Sequence, residues 1–155
     1  MNRRSKKENI KVYKKYKTVL VSGSTRTGKS TLLHKYIEFI KNDENILLVI
    51  VDPKEVEFFK YRNNENAFYI ANDYPNVIMN ELKPMINNEV ENGSKKIIIV
   101  DEYAEVHAIP ECKEFFEWLL ENKEKLNVEL VLATQLEEIF TEKYTENCDV
   151  IMKLK

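Results

Sequence analysis

The sequence predicts an α/β fold, a central, mostly parallel sheet of about five strands with helices on both faces. Three observations carry this. Short apolar runs such as Ile46–Val51 alternate with helix-length segments whose apolar residues recur every three or four positions, the alternation that builds parallel sheets with right-handed crossovers. The runs are apolar throughout, as strands covered on both faces require. Finally, the loop at 23–31, Asp52, Asp101 with Glu102, and Gln135 all stand just past such runs. That is the C-terminal strand edge, where sheets of this class bind ligands.

In chain order, the first seventeen residues carry eight basic side chains against Glu8 alone, a balance of +7 in a chain whose net charge is −2. Residues 1–17 are therefore read as a basic arm, either touching a polyanion or serving as a solvated leader. Residues 18–155 are read as one domain, as their number and the 43% hydrophobic content of the chain suit. A strand at 18–22 enters the glycine-bounded loop. A helix at 30–40 leaves it, with Leu32, Leu33, Tyr36, Ile37 and Ile40 on one face.

After a turn at 42–45 come a strand at 46–51, closed by Pro53, a short helix at 55–61 and a short edge strand at 67–70. Asn72 or Asp73 caps a helix over 75–91 that Gly93 stops, with Val77, Ile78, Leu82, Met85, Ile86 and Val90 as its stripe. A buried strand from Lys96 ends in Asp101 and Glu102. Pro110 opens a helix to about 126, with Phe115, Trp118, Leu119 and Leu120 facing in. Strands at 129–134 and 149–154 flank a short helix or turn at 136–144. Phe58, Phe59, Phe115, Phe116 and Trp118 are assigned to the core or a subunit interface. No apolar run exceeds six residues, so no membrane span is expected. Cys112 and Cys148 lack metal-ligand spacing and are read as idle thiols of a cytoplasmic protein.

The loop Gly23, Ser24, Thr25, Arg26, Thr27, Gly28, Lys29, Ser30, Thr31 is a complete Gly-x-x-x-x-Gly-Lys-Ser P-loop between a strand and a helix. Gly23 and Gly28 permit backbone angles that turn N–H groups inward around phosphate oxygens. Lys29 brings an ammonium to the β- and γ-phosphates, and the Ser30 hydroxyl ligates Mg²⁺. Thr31 either contacts the α-phosphate or only begins the helix, whose positive dipole end faces the anion.

Four apolar residues and Asp101 make a Walker B strand whose carboxylate holds Mg²⁺ directly or through water. Glu102 stands where a base for the attacking water is needed. Gln135 ends the next strand, where a polar residue touches the γ-phosphate or that water. Asp52 either supports the site from behind or caps the helix that follows. ATP and Mg²⁺ are the expected ligands. With the loop read as a surface loop, Lys29→Ala is expected to abolish ATP binding and leave the fold intact.

Three further stretches, Val-Asp-Pro-Lys at 51–54, Ile-Val-Asp-Glu-Tyr-Ala-Glu-Val at 99–106 and Leu-Val-Leu-Ala-Thr-Gln at 130–135, resemble the FtsK–HerA family of DNA-pumping P-loop ATPases. Their order and spacing from the P-loop match as well, over about 18–155. The resemblance implies a RecA-like fold with an extra strand between the P-loop strand and Walker B. It also implies a homo-oligomer, a hexameric ring in the family, that hydrolyses ATP to move double-stranded DNA. Lys29, Ser30, Asp101, Glu102 and Gln135 take in it the roles argued above.

The chain departs from the family at Leu136, where translocases continue with Arg-Pro, and in the short segment 87–96, which lacks their arginine-containing insert. Its only arginines are Arg3, Arg4, Arg26 and Arg62, so the finger inserted from a neighbouring subunit is expected to be Arg62 or, next, Arg26. An ATP-dependent switch that binds a protein partner without moving DNA is the alternative. A small-molecule kinase fits less well, since residues 63–155 hold no arginine for a lid.

Overall fold

The structure, a computed structural model, describes residues 17–24, 26–89 and 94–155. The basic arm other than Lys17, Thr25 of the P-loop, Val90 and the Gly93 stop signal lie outside these residues. The described elements are β1 (Thr18–Ser22), α1 (Lys29–Ile40), β2 (Ile46–Val51), β3 (Ala67–Ile70), α2 (Tyr74–Val77), a π-helical turn (Ile78–Leu82), α3 (Lys83–Glu89), β4 (Lys95–Val100), α4 (Tyr103–His107), α5 (Pro110–Leu126), β5 (Val128–Thr134), α6 (Glu142–Thr145) and β6 (Val150–Lys153).

The strands form one sheet of six in the order β3-β2-β4-β5-β1-β6, every pairing parallel. The sixth strand is β3, at the edge. β5 stands between the P-loop strand and the Walker B strand, the extra strand that the resemblance implies.

Alternate residues of each apolar run serve opposite faces. Val19, Val21, Leu48, Ile50, Ile97, Ile99, Val131 and Ala133 pack beneath α1 with Phe58 and Tyr61. Leu20, Val49, Val51, Ile98, Val100, Leu130 and Leu132 pack against α2 to α5 and α6 on the other side. Burying such a side chain contributes about 1.5–3 kcal/mol, so both layers hold the strand ends in place. Phe58, Phe115 and Phe116 are core, and Trp118 packs on it half-buried, whereas Phe59 is exposed. Cys112, in the first turn of α5, is buried, which pushes its thiol up to about 11.

Two helix predictions change, and one helix is added. Residues 55–61 contain only a 3₁₀ turn at Phe59–Tyr61, because Asp52 accepts the Phe58 N–H (3.2 Å) and Glu55 turns left-handed at φ 56°. A side chain that bonds nearby backbone competes with the helix in this way. The helix expected over 75–91 is α2, the π turn and α3 in succession, as far as Glu89. Helix α4, absent from the sequence reading, starts directly behind Glu102.

Lys96, at the sheet end opposite the site, is fully buried. Its ammonium donates to the carbonyls of Ser94 (2.7 Å) and Leu126 (3.0 Å), the latter the last residue of α5. A cation at a helix C-terminus is favourably placed.

Candidate active site

β1 delivers Gly23 beside the end of β5, where its N–H donates to the Thr134 carbonyl (3.2 Å). A Cβ on Gly23 would stand 2.5 Å from Thr27 Oγ1 and 3.1 Å from Leu154 Cβ. Lack of space, then, requires glycine here, and not the backbone angle expected from the motif. Gly28 does need that angle, with φ 85° in the left-handed region, where it caps α1. Between them Thr27 folds back, its N–H (3.2 Å) and hydroxyl (2.8 Å) both donating to the Ser24 carbonyl. Arg26 and Thr31 are exposed, and Ser30 is half-buried in the first turn of α1.

Lys29 is only 3% exposed, so it is not the surface side chain expected above. Its Nζ donates to Glu102 Oε1 at 3.0 Å. Gln135 Nε2 donates to the same oxygen at 3.3 Å. Lys29, Glu102 and Gln135 come from the ends of three adjacent stretches of sheet and meet on one atom.

Gln135 is exposed just past β5. The turn after it is fixed by the Thr134 hydroxyl, which accepts the Leu136 N–H at 3.0 Å.

Asp101 follows β4 and is 5% exposed, and its Oδ1 has no hydrogen-bond partner among the described residues. Burial pushes its carboxyl up to about 6, opposed by the nearby Lys29 ammonium and reinforced by the charges of Glu102 and Asp52. Asp52 stands at the same level on the neighbouring strand, since Val51 pairs with Val100 and the Asp101 N–H donates to the Val51 carbonyl at 3.0 Å. The Lys29 ammonium therefore stands near two carboxylates, those of Glu102 and Asp101.

Glu102 sits at φ 54°, ψ 55°, a left-handed conformation that costs a residue other than glycine about 1–2 kcal/mol. What holds it is the next residue. Tyr103 is fully buried, its ring within 5.5–6.4 Å of those of Phe116, Tyr144 and Phe140. The Tyr144 hydroxyl donates to Glu117 Oε2 (2.8 Å), so the Tyr103 hydroxyl donates to Tyr144 (2.8 Å). Sequence reasoning missed this support. Its one visible trace was an aromatic residue directly after the acidic pair, in a segment otherwise read as a strand end.

The AAA domain family matches residues 15–148. No curated protein matches the chain. Among solved structures, the cytoplasmic domain of EssC superposes with a TM-score of 0.76 at 15% identity, over 88% of this chain and 30% of that one. The pCW3 conjugation coupling protein TcpA, in its monomer form with ATPγS, gives 0.70 at 18% identity, over 88% and 48%. B204, the DNA-packaging ATPase of Sulfolobus Turreted Icosahedral Virus, gives 0.70 at 18%, over 88% and 74%. The chain thus spans under a third of the EssC domain and about half of TcpA. At these identities the likeness is one of fold, and it agrees with the resemblance to the FtsK–HerA ATPases. No helix among the described residues is long and apolar enough to cross a membrane. With its P-loop, its paired acidic residues and its all-parallel sheet in place, the chain belongs to the AAA domain family of P-loop ATPases.

Proposed function

We propose that this ATPase works as a homo-oligomer, a hexameric ring by its resemblance, which couples hydrolysis to movement of double-stranded DNA. The observation that carries the hydrolytic part is the meeting of Lys29 and Gln135 on one oxygen of Glu102. Phosphate oxygens compete with Glu102 for the Lys29 ammonium. A Glu102 freed from that ion pair accepts the proton of the attacking water as its oxygen bonds to the γ-phosphorus and the bond to the β-γ bridging oxygen breaks. Gln135 orients the same water. Coupling to DNA is supported by the likeness to a packaging ATPase and a conjugation coupling protein.

Mg²⁺ fits the residues present, since Asp101 holds an unpartnered carboxylate oxygen in a buried place and Ser30 follows Lys29 in the first turn of α1. Ser30 and Asp101 would hold the ion, which neutralises charge on the phosphate oxygens when bound.

A carboxyl with a raised pKa stabilises the fold when protonated, and that contribution is lost as pH rises through about 6. At pH 7.5 Asp101→Asn is therefore expected to leave the melting temperature of the nucleotide-free chain unchanged or a few degrees higher. The same change should remove the extra stabilisation that Mg²⁺ adds to ATP. Melting curves with ATP, with and without Mg²⁺, check both. A variant that melts lower yet keeps the Mg²⁺ effect would take Asp101 out of the metal site.

In a shared site, each subunit would need an arginine from its neighbour. Arg62 is exposed ahead of the edge strand β3, its guanidinium 3.8 Å from the centre of the Phe59 ring. Hydrolysis per subunit should rise steeply with protein concentration, followed by light scattering with and without ATP and DNA. Arg62→Ala or Arg26→Ala should bind ATP normally and hydrolyse it roughly 10³-fold more slowly, the lower end of an arginine finger's worth. Rates per subunit that stay flat from monomer to oligomer would end the shared site. A protein-binding switch is the second reading, favoured by Val56 (72% exposed) and Phe59 (41%) on the segment after Asp52.

A further inference from the structure

We propose that Asp52 is a second acidic arm of the metal site, which would accept hydrogen bonds from the water shell of a bound Mg²⁺. This rests on the reading of the chain as a Mg²⁺-dependent ATPase. Asp52 is 1% exposed. One of its oxygens, Oδ2, is fully used, by the Tyr69 hydroxyl (2.7 Å) and the Phe58 N–H (3.2 Å). These two bonds tie the segment after β2 to the edge strand β3 and explain the buried residue as a structural clamp. They leave Oδ1 unexplained, for it has no partner among the described residues.

The strand register sets Asp52 beside Asp101, whose Oδ1 is likewise buried and unpartnered. A buried acceptor without a donor is costly, and two side by side repel as well. A hydrated divalent cation answers both, because it brings two positive charges and water hydrogens that point outward from the ion. Lys29 cannot serve, since its ammonium is bonded to Glu102. A clamp alone would need only an acceptor at Oδ2. The carboxylate, with its second oxygen buried and unpartnered, is what a metal site adds.

The test is a Mg²⁺ titration of the binding of a fluorescent ATP analogue to the full chain. Asp52→Asn keeps a carbonyl oxygen for Tyr69 and Phe58 and removes the charge. It should raise the Mg²⁺ concentration for half-maximal binding by about tenfold, the usual effect of a group that supports a metal through its ligands. Its affinity for the analogue in EDTA should be unchanged or higher. Tyr69→Phe, which loosens the clamp and keeps the charge, should lower the melting temperature and leave the Mg²⁺ midpoint within about twofold.

A Mg²⁺ curve for Asp52→Asn that overlays the wild type would reduce Asp52 to a clamp and overturn the proposal. If that variant does not fold, Asp52→Ser keeps an acceptor for the Tyr69 hydroxyl and is read in the same way. Binding by the wild type that ignores Mg²⁺ altogether is a different failure, which removes the Mg²⁺-dependent reading and the proposal with it.

Discussion

Glu102→Gln is expected to bind ATP with Mg²⁺ as the wild type does and to lose roughly two to four orders of magnitude in turnover, the worth of a positioned base. Glutamine keeps the size of the side chain and an oxygen that can still accept from Lys29 and Gln135, the two donors that meet on Glu102 Oε1. It cannot take a proton from water. Steady-state phosphate release, beside equilibrium binding of the nucleotide, separates the two effects. In an oligomeric motor the variant should also accumulate in the ATP-bound assembled state. Turnover near the wild-type rate would remove the water-activating role and favour a phosphoryl transferase or a switch.

Lys29→Ala should damage both binding and stability. Loss of the ammonium removes charge-assisted hydrogen bonds to the phosphates, lowering nucleotide affinity by roughly 10- to 100-fold. It also leaves Glu102 and Asp101 near one another without the ammonium between them. Breaking a buried pair costs about 3–5 kcal/mol, and since Glu102 is 13% exposed and can be hydrated, about 1–3 kcal/mol is the expected loss. Adding Glu102→Gln to Lys29→Ala should restore the melting temperature and leave nucleotide binding weak. Wild-type stability in the single variant would mean that the ion pair contributes nothing to the fold.

This second expectation differs from the one the sequence supports, and the reason is physical. Lys29 and Glu102 are 73 positions apart, and no local pattern indicates that one will cover the other. Gly23 is similar, its need for glycine set by Thr27 nearby and by Leu154 at the far end of the chain. Strand ends were legible because apolar runs are long, uniform and cut off by Asp52, Asp101 and Gln135. The P-loop was legible because its spacing is itself the structure.

Local competition between side chain and backbone was not legible. Asp52 captures the Phe58 N–H and so prevents a helix at 55–61. Glu102 turns left-handed because Tyr103 is held in the core by Phe116, Phe140 and Tyr144. Both devices lie at the site, where strain and buried polar groups are expected to gather.

Double-stranded DNA supplies the most direct measurement of the central claim. Phosphate release from Mg·ATP by the wild-type chain should be followed with and without linear duplex DNA, at protein concentrations spanning assembly. A motor coupled to DNA predicts hydrolysis that increases when DNA is added, and a Glu102→Gln variant that stays inactive under both conditions. Robust hydrolysis indifferent to DNA at every concentration would contradict the coupling.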